Sequence, residues 1–259
     1  MKKITIVGLG WLGLPLAEYL SDKGYQVVGT KRQAIWHAHI NCYPFSLDSP
    51  VYHEEWLNSD CLVINIPPNT VEPTTYVEAI KALILQAISQ GVKHCIFISS
   101  TSVFPQQSAT FDESSLTFAE NERTEALITL EQWFSTLTIE SDILRLAGLV
   151  GKQRHPVHYL AGKNALKGVN QPVNLVHLND CLRAIETLIK RPNGKRIYHL
   201  CSPEHPTKSE FYSYAAKKRG LPPLHFLADN SPLNRKILAT KICQELNFHY
   251  QYASPFDFD

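Results

Sequence analysis

The chain opens with Ile4-Thr5-Ile6-Val7-Gly8-Leu9-Gly10-Trp11-Leu12-Gly13, followed by Leu14, Leu16, Ala17 and Leu20 at helical spacing. An apolar β-branched run, a Gly-x-Gly-x-x-Gly turn and an amphipathic helix in that order form the first half of a dinucleotide-binding βαβ unit. Gly8 permits the tight strand-to-helix turn, Gly10 lets the backbone approach a diphosphate, and Gly13 lets helix and strand pack closely. With Trp11 and Leu12, these glycines are the candidate diphosphate contacts. The anion is favoured there because free N–H groups and the positive end of the helix dipole point at it. Lys23-Gly24 ends the helix, and Gln26-Val27-Val28-Gly29-Thr30 reads as the second strand.

The same alternation continues. Cys61-Leu62-Val63-Ile64-Asn65-Ile66 is a buried strand stopped by Pro67-Pro68, and a helix over 74–90 follows, closed by Gly91. His94-Cys95-Ile96-Phe97-Ile98 is the next strand. Thr117-Phe118-Ala119-Glu120 fits a capping box that starts a helix reaching about 137, and Asp142-Ile143-Leu144-Arg145-Leu146 is a further strand. Beyond Gly151 the rhythm loosens. A basic loop runs to Pro172, with a strand over 173–178, a helix over 179–190 and a strand over 196–200. Thr207-Lys208-Ser209-Glu210 caps a helix ending at Gly220, and a last helix covers 234–246. The expected class is α/β, a Rossmann doubly wound parallel sheet with a small C-terminal substrate lobe. The expected division is a dinucleotide-binding domain over 1–151, then the remaining strands and a non-contiguous lobe over 152–259.

Met1-Lys2-Lys3 resembles the charged start of an export signal, but three glycines and Pro15 interrupt the apolar run behind it. The six cysteines are scattered without a C-x-x-C pair, and the eleven histidines show no metal-ligand spacing. A reduced, cytoplasmic protein without metal is therefore expected. No segment is apolar for long enough to span a bilayer. A net charge of +1 argues against nucleic acid or an acidic membrane as partner.

The end of the second strand selects the cofactor. An NAD-binding unit places Asp or Glu there for the ribose hydroxyls. Here it reads Thr30-Lys31-Arg32, with a hydroxyl and two cations but no carboxylate. Arg32 offers a planar fork to a 2′-phosphate, so NADP is expected ahead of NAD. Asp48 is placed to approach the adenine. Ile66, Pro67, Pro68 and Ser99, at later strand ends, are further candidate cofactor contacts.

From Gly8 through Ser100 to Asp180, the order of motifs resembles the extended short-chain dehydrogenase/reductase family, which includes nucleotide-sugar epimerases and dehydratases. Gly10-Trp11-Leu12-Gly13 is similar to its G-F-I-G, although Val7 stands where its first glycine falls. Ser99-Ser100-Thr101-Ser102-Val103-Phe104 resembles its S-S-x-x-V-Y, which implies Ser100 as the catalytic hydroxyl. Asn174-Leu175-Val176-His177-Leu178-Asn179-Asp180 is similar to its V-H-V-D-D. The family's Y-x-x-x-K pair is missing. With Glu131 as the register mark, Arg123 takes the Tyr position and Leu127 the Lys position. Arg123 stays protonated and cannot shuttle a proton, and Leu127 offers neither charge nor hydrogen bond. The resemblance is thus to an atypical, epimerase-like subgroup lacking the standard active site.

Three functions follow. The first is an NADP-binding epimerase/dehydratase-like protein with non-standard catalytic groups, acting on a nucleotide-linked or phosphorylated small molecule. Ser100 and Arg123 are its candidate catalytic residues, with His155, His158, Tyr159 or water as alternative proton carriers. The basic run Lys152, Arg154, His155, His158 and Lys163 is either a grip on such a substrate or a solvated loop. The second is a non-catalytic NADP(H) redox sensor. The third is a β-hydroxyacid dehydrogenase, which the glycine turn and Pro67-Pro68 also resemble. That family continues into an all-helical domain, whereas this chain returns to strand-like segments. The extended short-chain resemblance further implies a homodimer through the helices over 74–90 and 117–137.

Overall fold

A computed structural model describes residues 1–151, 154–228 and 233–258. The elements run β1 (Lys3–Val7), α1 (Gly13–Asp22), β2 (Gln26–Lys31), β3 (Asn41–Pro44), α2 (Glu54–Leu57), β4 (Cys61–Ile64), α3 (Pro73–Ser89) and β5 (His94–Ser100). Then come β6 (Ala109–Phe111), α4 (Glu122–Phe134), β7 (Glu140–Leu146), β8 (Gly148–Val150), α5 (Val157–Leu160), β9 (Leu175–His177) and α6 (Leu178–Lys190). The chain ends with β10 (Lys195–Leu200), α7 (Lys208–Lys218), β11 (Arg235–Ile237) and α8 (Lys241–Leu246). Seven strands form the central sheet in the order β10-β7-β5-β4-β1-β2-β3. β1 pairs in parallel with both β2 and β4. The chain winds outward from β1 in one direction through β2 and β3 and in the other from β4, so a topological switch falls between β1 and β4. Ligands of doubly wound sheets bind beyond the strand ends at such a switch.

Neither of the two compact units into which the chain divides is one continuous stretch. The first comprises Met1–Val103, Thr117–Arg145 and Leu182–Ile197. Its strands are apolar on both faces, as parallel strands covered by helices must be: Ile4, Ile6, Val7, Leu62, Val63, Ile64, Ile96 and Phe97 have no accessible surface. The N-terminal edge of this core holds one ionic knot. Asp142 accepts from Arg196 Nε at 2.7 Å and lies 2.8 Å from His94 Nε2.

The second unit comprises Phe104–Leu116, Leu146–Cys181 and Tyr198–Asp259. Two small parallel pairs, β11 with β6 and β8 with β9, organise it. Asp180 is fully buried and accepts from the backbone N–H groups of Gln251 and Tyr252, while Tyr252 stacks on His177 at 3.7 Å. The acidic residue of the V-H-V-D-D-like stretch thus holds the C-terminal segment.

Two helix starts differ from the sequence pattern. Residues 117–120 are not helical, and Phe118 N–H donates instead to the Val103 carbonyl. The working box lies at Asn121, whose side chain accepts from Thr124 N–H while Thr124 Oγ1 accepts in return. Residues 234–246 are not one helix: Arg235–Ile237 is strand β11, drawn out by pairing with β6, and helix begins only at Lys241. The Thr207–Glu210 box is present as expected, at the start of α7. No helix among the described residues is long and apolar enough to cross a membrane.

Candidate functional site

The glycine turn is built as its sequence requires. Gly8 has φ +105°, and a Cβ there would lie 2.6 Å from the Asn65 carbonyl oxygen. A Cβ on Gly13 would collide with the Gly8 carbonyl oxygen. Gly10 differs, since a Cβ there meets nothing within 4 Å. Packing therefore demands glycine at 8 and 13, whereas at 10 glycine leaves open space in front of α1. The turn is tied to the end of β2: the N–H groups of Gly8 and Leu9 donate to the Thr30 carbonyl at 3.2 and 2.7 Å. Its far side is tied to β4, where Asn65 Nδ2 donates to the Gly8 carbonyl at 3.1 Å.

A cleft of about 220 Å³ opens at this turn. Of the residues expected to hold cofactor, Gly8, Gly10, Thr30, Lys31 and Arg32 line it, and so do Asp48, Ile66 and Pro67. Thr30 is buried, so its main contribution is the carbonyl that receives the turn. Lys31 and Arg32 are exposed at the rim. Asp48 lines the cleft beyond β3, near Arg32, and accepts from the Ser46 hydroxyl. That bond, with backbone N–H donation and the nearby charge of Arg32, holds its carboxyl below the usual range. Leu12 is buried beneath the turn, Gly13 packs on Gly8, and neither they nor Trp11 line the cleft. Ser46, Asn65, Thr70 and Val71 line it without having stood out in the sequence.

Thr70 and Val71 also border an adjoining cleft of about 300 Å³, where Pro68 meets Glu72, Glu122 and Arg123. Arg123 lies in the first turn of α4, exposed, with no hydrogen bond or ion pair among the described residues. Leu127, one turn on, is buried. Glu131, one turn further, accepts from Ser99 Oγ at 2.5 Å and from Arg145 through Nε at 3.1 Å and Nη2 at 2.6 Å. The Ser99 hydroxyl is committed to this buried knot, away from both clefts. Ser100 Oγ accepts from Ser102 N–H at 3.1 Å, so it ties the strand end while remaining half-exposed.

The basic run after Gly151 does not assemble. Lys152 lies outside the described residues. His155 turns inward: it is buried against Phe211, and its Nδ1 accepts from Val157 N–H. Burial, with Arg219 and His158 adding to it, pushes its pKa down to about 4. His158, Tyr159 and Lys163 are exposed. Among the described residues, no group of His, Cys, Asp or Glu could hold a metal ion.

The turn, the switch point and the strand order define a doubly wound, Rossmann-like α/β fold, and solved epimerases share it. UDP-glucuronic acid 4-epimerase from Bacillus cereus, solved in complex with NAD, superposes with a TM-score of 0.82 at 17% identity, over 98% of this chain and 93% of that one. MoeE5, solved with UDP-glucose and NAD, gives 0.81 at 16% identity, over 98% and 96%. At such identities the likeness is one of fold. No family model matches the chain. In sequence, it is 38% identical over 269 residues to Protein YeeZ of Escherichia coli K12, covering 98% of each. The chain belongs to the YeeZ family.

Proposed function

We propose that this protein binds NADP and acts as an oxidoreductase or epimerase of the extended short-chain type, on a nucleotide-linked or phosphorylated substrate, with non-standard groups in place of the tyrosine–lysine pair. One observation carries the reading: the glycine-turn cleft ends in Lys31 and Arg32, with no carboxylate at the end of β2. In this reading, Gly10 and the first turn of α1 receive the diphosphate, whose charge the helix N-terminus favours. Arg32 receives the 2′-phosphate, and Ile66 and Pro67 form the wall of the nicotinamide half. A bound nicotinamide supplies hydride transfer.

The adjoining cleft suits a polar substrate. Arg123 donates to a phosphate or carboxylate group, while Glu72 and Glu122 accept from hydroxyls. The UDP-sugars held by proteins of this fold have both kinds of group. Ser100, half-exposed at the end of β5, is the hydroxyl donor in this reading. Arg123 binds but does not shuttle a proton, so proton transfer falls to another group or to water.

The test is transfer of deuterium from C4-labelled NADPH into a panel of keto-sugar nucleotides, whose carbonyl carbon accepts the hydride, followed by mass spectrometry. Stereospecific incorporation in at least one, lost in Arg123→Ala, supports the enzyme. A second reading, a redox sensor, draws on the buried Leu127 where a ribose-holding lysine would stand. It predicts no incorporation and clearly different affinities for NADP⁺ and NADPH.

A further inference from the structure

Asn65 joins the two walls of the cofactor cleft. It follows the apolar strand β4, lines the cleft, and is only half-buried. Its backbone N–H donates to the Val7 carbonyl at 2.9 Å, and its Nδ2 donates to the Gly8 carbonyl at 3.1 Å. The same amide nitrogen would lie 3.0 Å from a Cβ on Gly13, so it fills the angle between the first and third glycines. The loop behind it is anchored independently: Tyr76, buried on α3, donates its hydroxyl to the Ile66 carbonyl at 2.8 Å.

We propose that Asn65 is a positioning residue for the cofactor, a clamp that turns the Gly8 carbonyl away from the bound diphosphate and fixes the turn in front of the N-terminus of α1. This rests on the dinucleotide reading above. The physical reason lies in the donor inventory. The Gly8 carbonyl accepts from the Gly10 N–H at 2.8 Å, and Asn65 Nδ2 takes up its second lone pair. Left open beside a phosphate, that second lone pair adds acceptor-to-acceptor repulsion. An amide is suited to the task because it donates through Nδ2 and brings no charge. With Nδ2 fixed on Gly8, Oδ1 is the remaining acceptor of the side chain, suited to a hydroxyl of the ligand and not to its phosphates.

The substitutions that test this are Asn65→Asp and Asn65→Leu, each compared with the wild-type protein by calorimetric titration with NADP⁺ between pH 4.5 and pH 8. Asp is nearly isosteric, but when ionised it presents a second acceptor to the Gly8 carbonyl. The expected result at pH 8 is a Kd at least roughly tenfold weaker than wild type, because an ionised acceptor has replaced a donor. The gap should close as the pH falls and the carboxyl regains a proton to donate. Leu removes the donor without adding charge and should weaken binding by about fivefold at every pH. A role confined to folding would give a gap that does not respond to pH in N65D. Thermal melts of both variants record whether the fold persists; if N65D does not fold, N65L alone decides. Wild-type affinity in N65L, or a pH-independent gap in N65D, overturns the clamp. No binding by the wild type overturns the cofactor reading instead, so the two failures are distinct.

Discussion

Arg32→Ala separates the cofactor's 2′-phosphate from the rest of the dinucleotide. A charge-assisted hydrogen bond contributes about 1.5–3 kcal/mol. Arg32 is exposed at the cleft rim, where solvent screens it, so the lower part of that range applies. About 1.5–2 kcal/mol corresponds to roughly a 10–30-fold weaker Kd for NADP⁺. NAD⁺ lacks the phosphate and should change by less than about threefold. The carboxylate of Asp48 lines the same cleft, Arg32's charge already acts on it, and it opposes the same phosphate. Asp48→Asn should therefore tighten NADP⁺ by about two- to threefold while leaving NAD⁺ nearly unchanged. Titration calorimetry of the wild type and both variants with both cofactors reads all of this in one set. Equal weakening of NADP⁺ and NAD⁺ by R32A would refute the assignment, because a residue that reads the 2′-phosphate cannot act on a ligand without one.

Other perturbations address stability and assembly. Removing the Glu131 carboxylate with Glu131→Ala strips buried Arg145 and Ser99 of their shared acceptor; chemical denaturation should show a loss of about 3–5 kcal/mol. His155 is held neutral, with its pKa pushed from 6.5 down to about 4, so the unfolded chain binds the extra proton between those values. Stability should fall as the pH drops through that window and level off below it. The loss is on the order of 2 kcal/mol after allowance for screening, and His155→Leu should remove the dependence. If the protein pairs through α3 and α4, the groove between them brings Glu78, Glu122 and Glu125 together with Lys81 as the cation in its lining. Sedimentation should then show a dimer that strengthens with added salt, and one that weakens would contradict the pairing.

The glycine turn was legible because local sequence dictates it. Gly8 and Gly13 are required by contacts within a dozen residues or by the adjacent strand, and the helix that follows shows its own apolar period. The long buried strands were legible for the same reason. What escaped was short and set by distant partners. β3, β6, β8 and β11 are three or four residues each, too short for periodicity, and β6 and β11 extend because they pair across more than a hundred residues. Thr117 and Glu120 matched a capping pattern, but Asn121 with Thr124 forms the actual reciprocal bonds one turn later. In the cleft lining, Arg32 was readable from its place at the end of β2, whereas Asp48 was named on position alone because β3 before it was not legible. Asn65 was not singled out, although a polar amide closing an apolar strand just before two prolines was the available signal. The inward turn of His155 depends on Phe211, far along the chain, and nothing near it in sequence announces that contact.

Gly10 offers the most direct test of the dinucleotide cradle, because its missing side chain faces open space and not protein. Gly10→Val should fold with a melting temperature close to that of the wild type and yet give no heat with NADP⁺ or NADPH, while the wild type binds both at one site. A wild type silent toward both nucleotides, or a G10V variant that binds them as well as the wild type does, would contradict the account.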